Sequence, residues 1–160
     1  MQPWETAMTQ PFWLVLPEGL CLWRAGAGAR KTRQRLSDLE IENAELILDG
    51  HENLDRYITE PIRAAIFNLG YLPSADKSVI TKPHTTLEAI EKILDRLEVG
   101  GRLAIMIYYG HDGGDMEKDA VLEYVIGLDQ RDFTAMLYQP LSNYTPHFWW
   151  CWRNYNDYRY

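Results

Sequence analysis

The alternation in the middle of this chain constrains its fold more than any other feature. An apolar run, Ile62 to Leu69, is followed by the segment Pro83-His-Thr-Thr-Leu-Glu-Ala-Ile-Glu-Lys-Ile-Leu-Asp-Arg-Leu97. Its apolar residues fall at 87, 90, 94 and 97, which is helical spacing. A threonine near the start can cap this helix, and Gly100-Gly101 is expected to end it. Arg102 to Tyr109 then reads as a continuous apolar strand, the pattern of a strand covered on both faces in a parallel sheet. The same rhythm runs on either side. Lys31 to Leu39 reads as a polar helix, Ala44 to Asp49 as a strand, and Glu52 to Ile58 as a helical turn or two. Asp115 to Leu128 reads as a helix and Phe133 to Tyr138 as a strand. Strands alternating with helices predict βαβ units in a doubly wound, mostly parallel sheet, a Rossmann-like α/β fold.

With 160 residues, 46% of them hydrophobic, the chain is long enough for a single domain, 1–160, with a real core. No apolar run reaches the roughly 18 residues of a membrane span, and no basic-then-apolar leader opens the sequence. A cytoplasmic protein without a membrane partner is therefore the expectation. The formal charge of −7 argues against broad nonspecific nucleic-acid binding, while a local basic patch is compatible with it. Cys21 and Cys151 lack metal-ligand spacing, so neither a zinc site nor a disulfide is expected, and no metal is required.

Three motifs sit at expected strand carboxyl ends, the edge where open α/β sheets bind ligands. Asp49-Gly50-His51 follows the first strand, where Asp49 is equally a helix N-cap or part of a nucleotide site. Asn68-Leu69-Gly70-Tyr71-Leu-Pro73 closes the second, and is an ordinary loop or a ligand grip. Tyr108-Tyr-Gly-His111-Asp-Gly113-Gly114-Asp115 closes the third. Its glycines allow sharp turns or close ligand approach, and His111 is an exposed loop histidine or a general base. Three such motifs on neighbouring strand ends together point to a ligand crevice.

These residues carry a family resemblance. Ala64 to Leu94, then Gly100 to Gly114, then Leu128-Asp-Gln-Arg-Asp-Phe133, resemble the bacterial rRNA methylase family. Its members include the S-adenosylmethionine-dependent methyltransferases that act on the aminomethyl group of the tRNA wobble uridine. The match spans roughly Lys31 to Pro146 and keeps Asp76-Lys77 and Thr85-Thr86 in order. The resemblance implies a class I methyltransferase fold, S-adenosyl-L-methionine as cofactor, an RNA substrate with tRNA favoured over rRNA, and a homodimer. It places Asn68, the carbonyl of Leu69, Gly70 and Tyr71 around the reacting amine. Asp49, Gly50, His51 and Asn68 fall on the cofactor side, and Lys77, His111, Gly113 and Gly114 on the substrate side. Lys77, Lys82 and Arg63 are further candidates for phosphate contacts. Leu69-Gly70 stands where the better-known amino-methyltransferase loop has Pro-Pro.

One departure is large. The family opens with a strand and a loop of the type D-A-T-x-G-N-G-x-D-T, then an acidic residue on the next strand, and neither occurs here. All six tryptophans and both cysteines lie in the first 23 or last 12 residues. Back-translated and read one base earlier, Met1 to Gln10 admits the family's loop at every place. Phe148 to Asn156, treated alike, admits an apolar strand. Residues 1–30 and 147–160 are therefore expected to be out of frame, with the first strand and cofactor loop missing. On that reading 1–30 packs poorly and 148–160 fails to form a well-patterned final strand. The rival class is a non-catalytic remnant that folds but binds no cofactor. A generic nucleotide-binding oxidoreductase fits less well, because Gly26-Ala-Gly-Ala-Arg30 has no strand before it. In isothermal titration the 160-residue chain should bind S-adenosylmethionine at least about 100-fold more weakly than a frame-corrected version. Equal affinities would show that residues 1–30 build a cofactor loop after all.

Overall fold

A computed structural model describes residues 12–16, 19–23, 28–69, 83–108, 114–138 and 147–154. In chain order these form strands β1 (Phe12–Val15) and β2 (Leu20–Trp23), helix α1 (Gly28–Asp38), and β3 (Ala44–Ile47). A 3-10 helix (His51–Arg56), β4 (Ile62–Leu69), α2 (Pro83–Arg96) and β5 (Leu97–Tyr108) follow. Then come α3 (Gly114–Ile126), β6 (Phe133–Tyr138) and β7 (His147–Asn154). The strands make one seven-stranded sheet in the order β3-β2-β1-β4-β5-β7-β6.

The expected unit stands at the centre. β4 and β5 pair in parallel, from Ala64 opposite Arg102 to Leu69 opposite Ile107, with α2 as the crossover. Successive side chains of a strand point to opposite faces. On one face Ala65, Phe67 and Leu69 of β4 and Leu103, Ile105 and Ile107 of β5 are all buried. Ala89, Ile90, Ile93 and Leu94 of α2 and Val121 and Val125 of α3 pack against them. The opposite face is less covered, with Ile66 42% exposed. No helix among the described residues is long and apolar enough to cross a membrane.

Four expectations require correction. First, β2 ends at Trp23 and α1 starts at Gly28, so a strand does stand ahead of Gly26-Ala-Gly-Ala-Arg30. Second, Gly100-Gly101 does not end α2, because the helix stops at Arg96 and β5 starts at Leu97. The pairing jumps from Ile62 opposite Leu97 to Ala64 opposite Arg102, so Glu98 to Gly101 bulge out of the ladder. Gly100 sits there at φ +79°, a backbone region that only glycine enters freely. Third, residues 147–154 do form a strand. β7 runs antiparallel between β5 and β6, with Leu103 opposite Trp152 and Ala135 opposite the same residue. A sheet edge left by β5 is a row of unpaired backbone donors and acceptors, and an adjacent β-prone sequence satisfies them whatever its side-chain pattern.

Fourth, the place between β2 and β4 is filled. β1 occupies it antiparallel to β4, with Trp13 opposite Ile66 and Val15 opposite Ala64. It is joined to β2 by a tight connection closed by Leu16 N–H donating to the Gly19 carbonyl at 2.9 Å. Gly19 is required, since a Cβ there would lie 2.8 Å from the Asn43 carbonyl oxygen. A short hairpin can join only antiparallel strands. The direction of β1 is thus dictated by its short link to β2, which itself runs parallel to β3.

Ile105 is fully buried at the middle of β5. Ile105→Ala should cost about 2–5 kcal/mol, read as a lowered midpoint in urea unfolding followed by circular dichroism.

Candidate functional site

The carboxyl ends of β3, β4 and β5 lie on one edge of the sheet, because β2, β3, β4 and β5 keep the parallel sense of their neighbours across it. At the end of β3 the chain turns into the 3-10 helix through Asp49 and Gly50. Asp49 Oδ1 accepts from the Gly50 N–H at 2.7 Å and from Asn53 Nδ2 at 2.9 Å. Its Oδ2 accepts from the Tyr57 hydroxyl at 2.8 Å, and Arg56 stands 3.9 Å away. The Tyr57 hydrogen bond, followed by those of Asn53 and Gly50, holds the Asp49 carboxyl below its usual range. Asp49 therefore does structural work. It ties the turn, although the helix's N-cap position is Gly50 and no side chain caps it. Asp49, Gly50 and His51 stand together as the cofactor-side candidates on this strand end.

His51 turns inward. Its ring packs edge-on against Phe67 of β4, with centroids 5.7 Å apart and planes at 88°. Burial pushes its pKa down, an effect that nearby Glu52 partly opposes. Lys92 of α2 fixes this whole corner. Its ammonium donates to the Glu52 carbonyl, to Asp55 at 2.9 Å and to Glu88 at 2.8 Å. One lysine thereby binds the crossover helix to the segment that carries His51.

At the end of β4, Asn68 pairs in register with Met106 and Leu69 with Ile107. The Asn68 Oδ1 atom is buried and has no hydrogen-bond partner among the described residues. A buried acceptor without a donor costs about 1–3 kcal/mol, so such an atom is a place where a ligand's N–H fits. Gly114, expected on the substrate side, is the first residue of α3 and stands at the same edge. Gly70, Tyr71, Lys77, Lys82, His111 and Gly113 lie outside the described residues.

Arg63 does not join the site. It sits at the amino end of β4, five residues and roughly 17 Å from Asn68, and pairs with Glu98 at 3.5 Å. Asp129 and Arg131 of the Leu128 to Phe133 motif are likewise a turn and not a ligand site. Arg131 donates through Nε and its terminal nitrogen to the Asp129 carboxylate, whose pKa falls to about 2 for that reason. Among the described residues no group of three or more His, Cys, Asp or Glu side chains is placed to hold a metal ion.

Thr86 and Glu117 form a buried pair that no sequence motif marks. Thr86 is fully buried and Glu117 3% exposed, and the Thr86 hydroxyl donates to Glu117 Oε1 at 2.7 Å. Apolar spacing alone does not reveal it, because Thr86 lies just ahead of the apolar series of α2.

Known proteins bear on this edge. The sequence matches the family described as "Putative rRNA methylase" over residues 27–152. A chloroplastic tRNA (mnm(5)s(2)U34)-methyltransferase of Arabidopsis thaliana is 33% identical over 111 residues, covering 68% of this chain and 40% of that protein. This chain thus spans well under half the length of that curated relative. A crystal structure described as "a putative methyltransferase from streptococcus mutans in complex with SAH" is 59% identical, with a TM-score of 0.74. It covers 82% of this chain and 74% of that one. The structure of an rRNA methylase from Streptococcus thermophilus is 66% identical over 83% of this chain and 72% of its own, with a TM-score of 0.69.

The lowered pKa of His51 gives a signed expectation. The unfolded ring takes up a proton near its ordinary value of 6.5, whereas the folded ring resists until a lower pH. The unfolded state then binds more protons, so the stability of the neutral buried ring is complete above that value and is lost as pH falls through the folded pKa. Urea midpoints measured from about pH 7.5 down to about 5.5 should fall, and His51→Asn should flatten that slope.

Proposed function

This chain belongs to the rRNA methylase family, and from that premise we propose that it methylates an amine on RNA using S-adenosyl-L-methionine. The favoured target is the aminomethyl group of the tRNA wobble uridine. The observation that carries the reading is the buried, unpartnered Oδ1 of Asn68 at the carboxyl end of β4. An acceptor there suits a substrate N–H. The relatives at 59% and 66% identity support the methyltransferase reading, one of them by its complex with SAH. The Arabidopsis relative supports the tRNA target.

The residues present fit part of such a site. Asp49, Gly50 and His51 would stand beside the cofactor's adenine, and Asn68 beside the reacting amine. When bound, the cofactor supplies an electrophilic methyl group on a sulfonium. The chain's own part is to aim a neutral amine at it. Asn68 Oδ1 and the Leu69 carbonyl would each accept a hydrogen bond from one of the amine's two N–H groups, which directs its lone pair toward the methyl carbon. Neither acceptor can donate a proton, so neither quenches the nucleophile. Positive charge developing on the nitrogen would be stabilised by the same two oxygens. On the family resemblance, Gly70 would allow the base to come close, Tyr71 would stack on it, and Lys77, His111, Gly113 and Gly114 would lie toward the RNA. Rate enhancement on this account is mostly positioning.

A second reading, a fold without cofactor binding, has its own observation. The glycine loop of the family would follow a strand's carboxyl end and lead into a helix. Here β1 and β2 are joined at the opposite edge of the sheet, where Val15 faces Ala64, and the strand whose carboxyl end leads into a helix is β2, followed by Gly26-Ala-Gly-Ala-Arg30 in place of the family's loop sequence. The two readings part on a direct assay: incubation with total tRNA or rRNA and the cofactor, followed by nucleoside mass spectrometry. New methylated nucleoside supports the enzyme, and none supports the remnant.

In a frame-corrected protein Asn68→Ala should lower turnover about 100-fold or more while cofactor affinity stays nearly unchanged, since a transition-state contact is lost. Loss of cofactor binding with turnover retained would move Asn68 to the cofactor side.

A further inference from the structure

We propose that the exposed arginine face of helix α1, carried by Arg30, Arg33 and Arg35, is the surface on which the phosphate backbone of the RNA docks. The proposal rests on the functional reading above and adds where the substrate lands. The 11 residues of α1 hold Arg30, Lys31, Arg33 and Arg35 against one carboxylate, Asp38. That is a formal charge of +3 inside a chain of −7. Arg30, Arg33, Gln34 and Ser37 stand at i, i+3, i+4 and i+7, one face of the helix, and all four are exposed. Arg35 is exposed on its flank, while Thr32 and Leu36 are half-buried on the other side.

The surroundings of these arginines separate them from other cations of the fold. Arg56, Arg63, Lys92, Lys118 and Arg131 each stand within ion-pair distance of a carboxylate. Arg30, Arg33 and Arg35 form no ion pair among the described residues. Even Asp38 on the same helix accepts instead from Gln34 Nε2, at 2.8 Å. Like charges gathered without counter-charge repel one another, and an arriving anion relieves that repulsion. Guanidinium groups suit phosphate in particular, because their forked donors can meet two phosphate oxygens at once.

Topology puts this face beside the site. α1 is the crossover between the parallel strands β2 and β3, so it starts at the edge where β2 ends. That edge also holds Asn68. β2 and β4 are separated by β1 alone, two strand spacings or roughly 10 Å. The positive end of the helix dipole adds to the arginines at the same edge. Glu40, Glu42 and Glu45 follow the carboxyl end of α1, at the opposite edge. Charge therefore runs from basic beside the site to acidic away from it.

Anisotropy of an end-labelled tRNA, titrated with the full chain at several salt concentrations, reads the contact. Removing three phosphate contacts by Arg30→Gln/Arg33→Gln/Arg35→Gln should weaken binding about 10-fold or more and lower the slope of log Kd against log salt by about 2 to 3. Arg30→Lys/Arg33→Lys/Arg35→Lys keeps the charge and should keep the slope. The same charge removed at the opposite edge, in Arg63→Gln/Arg102→Gln/Arg131→Gln, should leave the slope as in the parent. If the first variant does not fold, Arg33→Gln alone should lower the slope by about 0.7 to 0.9. Equal losses at the two edges would reduce α1 to its share of net charge and overturn the proposal. So would a parent chain that does not bind tRNA, or one that binds poly-glutamate in its place. Binding through α1 without methyl transfer would overturn the functional reading instead and leave the docking surface standing.

Discussion

The parallel pairing of β4 with β5 is the constraint on which the rest depends. Parallel neighbours cannot be joined by a hairpin, so a helix must carry the chain back across the sheet. Here α2 does so, and its apolar side covers Ala65, Phe67, Leu103 and Ile105. The same requirement puts both strand exits on one edge. Asn68, the end of β5 and the starts of α2 and α3 therefore share an edge as a consequence of chain direction, before any question of chemistry arises.

Polar contacts then make that edge definite. Lys92 ties α2 to the segment after β3, Asp49 closes the turn that precedes it, and Thr86 ties α2 to α3. Each of these groups has its donors or acceptors occupied within the fold. Asn68 Oδ1 does not, among the described residues. Buried polar atoms are nearly always paired, so this amide oxygen is a place where a ligand's donor fits.

The other half of the sheet is built differently. β1 and β2 form a hairpin, and β7 is inserted between β5 and β6. Backbone pairing completes the strand order even where the side-chain pattern is poor, because an open ladder recruits any extended segment within reach. What it does not restore is a loop at the carboxyl end of β1. Antiparallel β1 points its amino end, Phe12, toward the site edge.

How much of this was legible in the sequence depended on the range of the interaction. β4 and β6 match their expected bounds, and α2 ends one residue early, because period-two and period-3.6 burial are local patterns written into adjacent residues. The three strand-end motifs followed from those elements, and Asn68 with them. The role of Asp49 as a turn tie was left open, since four partners decide it and their convergence is a matter of folding. Gly100 read as a helix stop and is a bulge, because α2 already ends at Arg96 and the ladder resumes only at Arg102. The sequence by itself determined the central βαβ unit and the residues at its exits. Only the tertiary structure decided the direction of β1, the pairing of β7 and the meeting of Thr86 with Glu117. Those depend on which backbone edges and helix ends come within hydrogen-bonding distance, and nothing periodic along the chain encodes that.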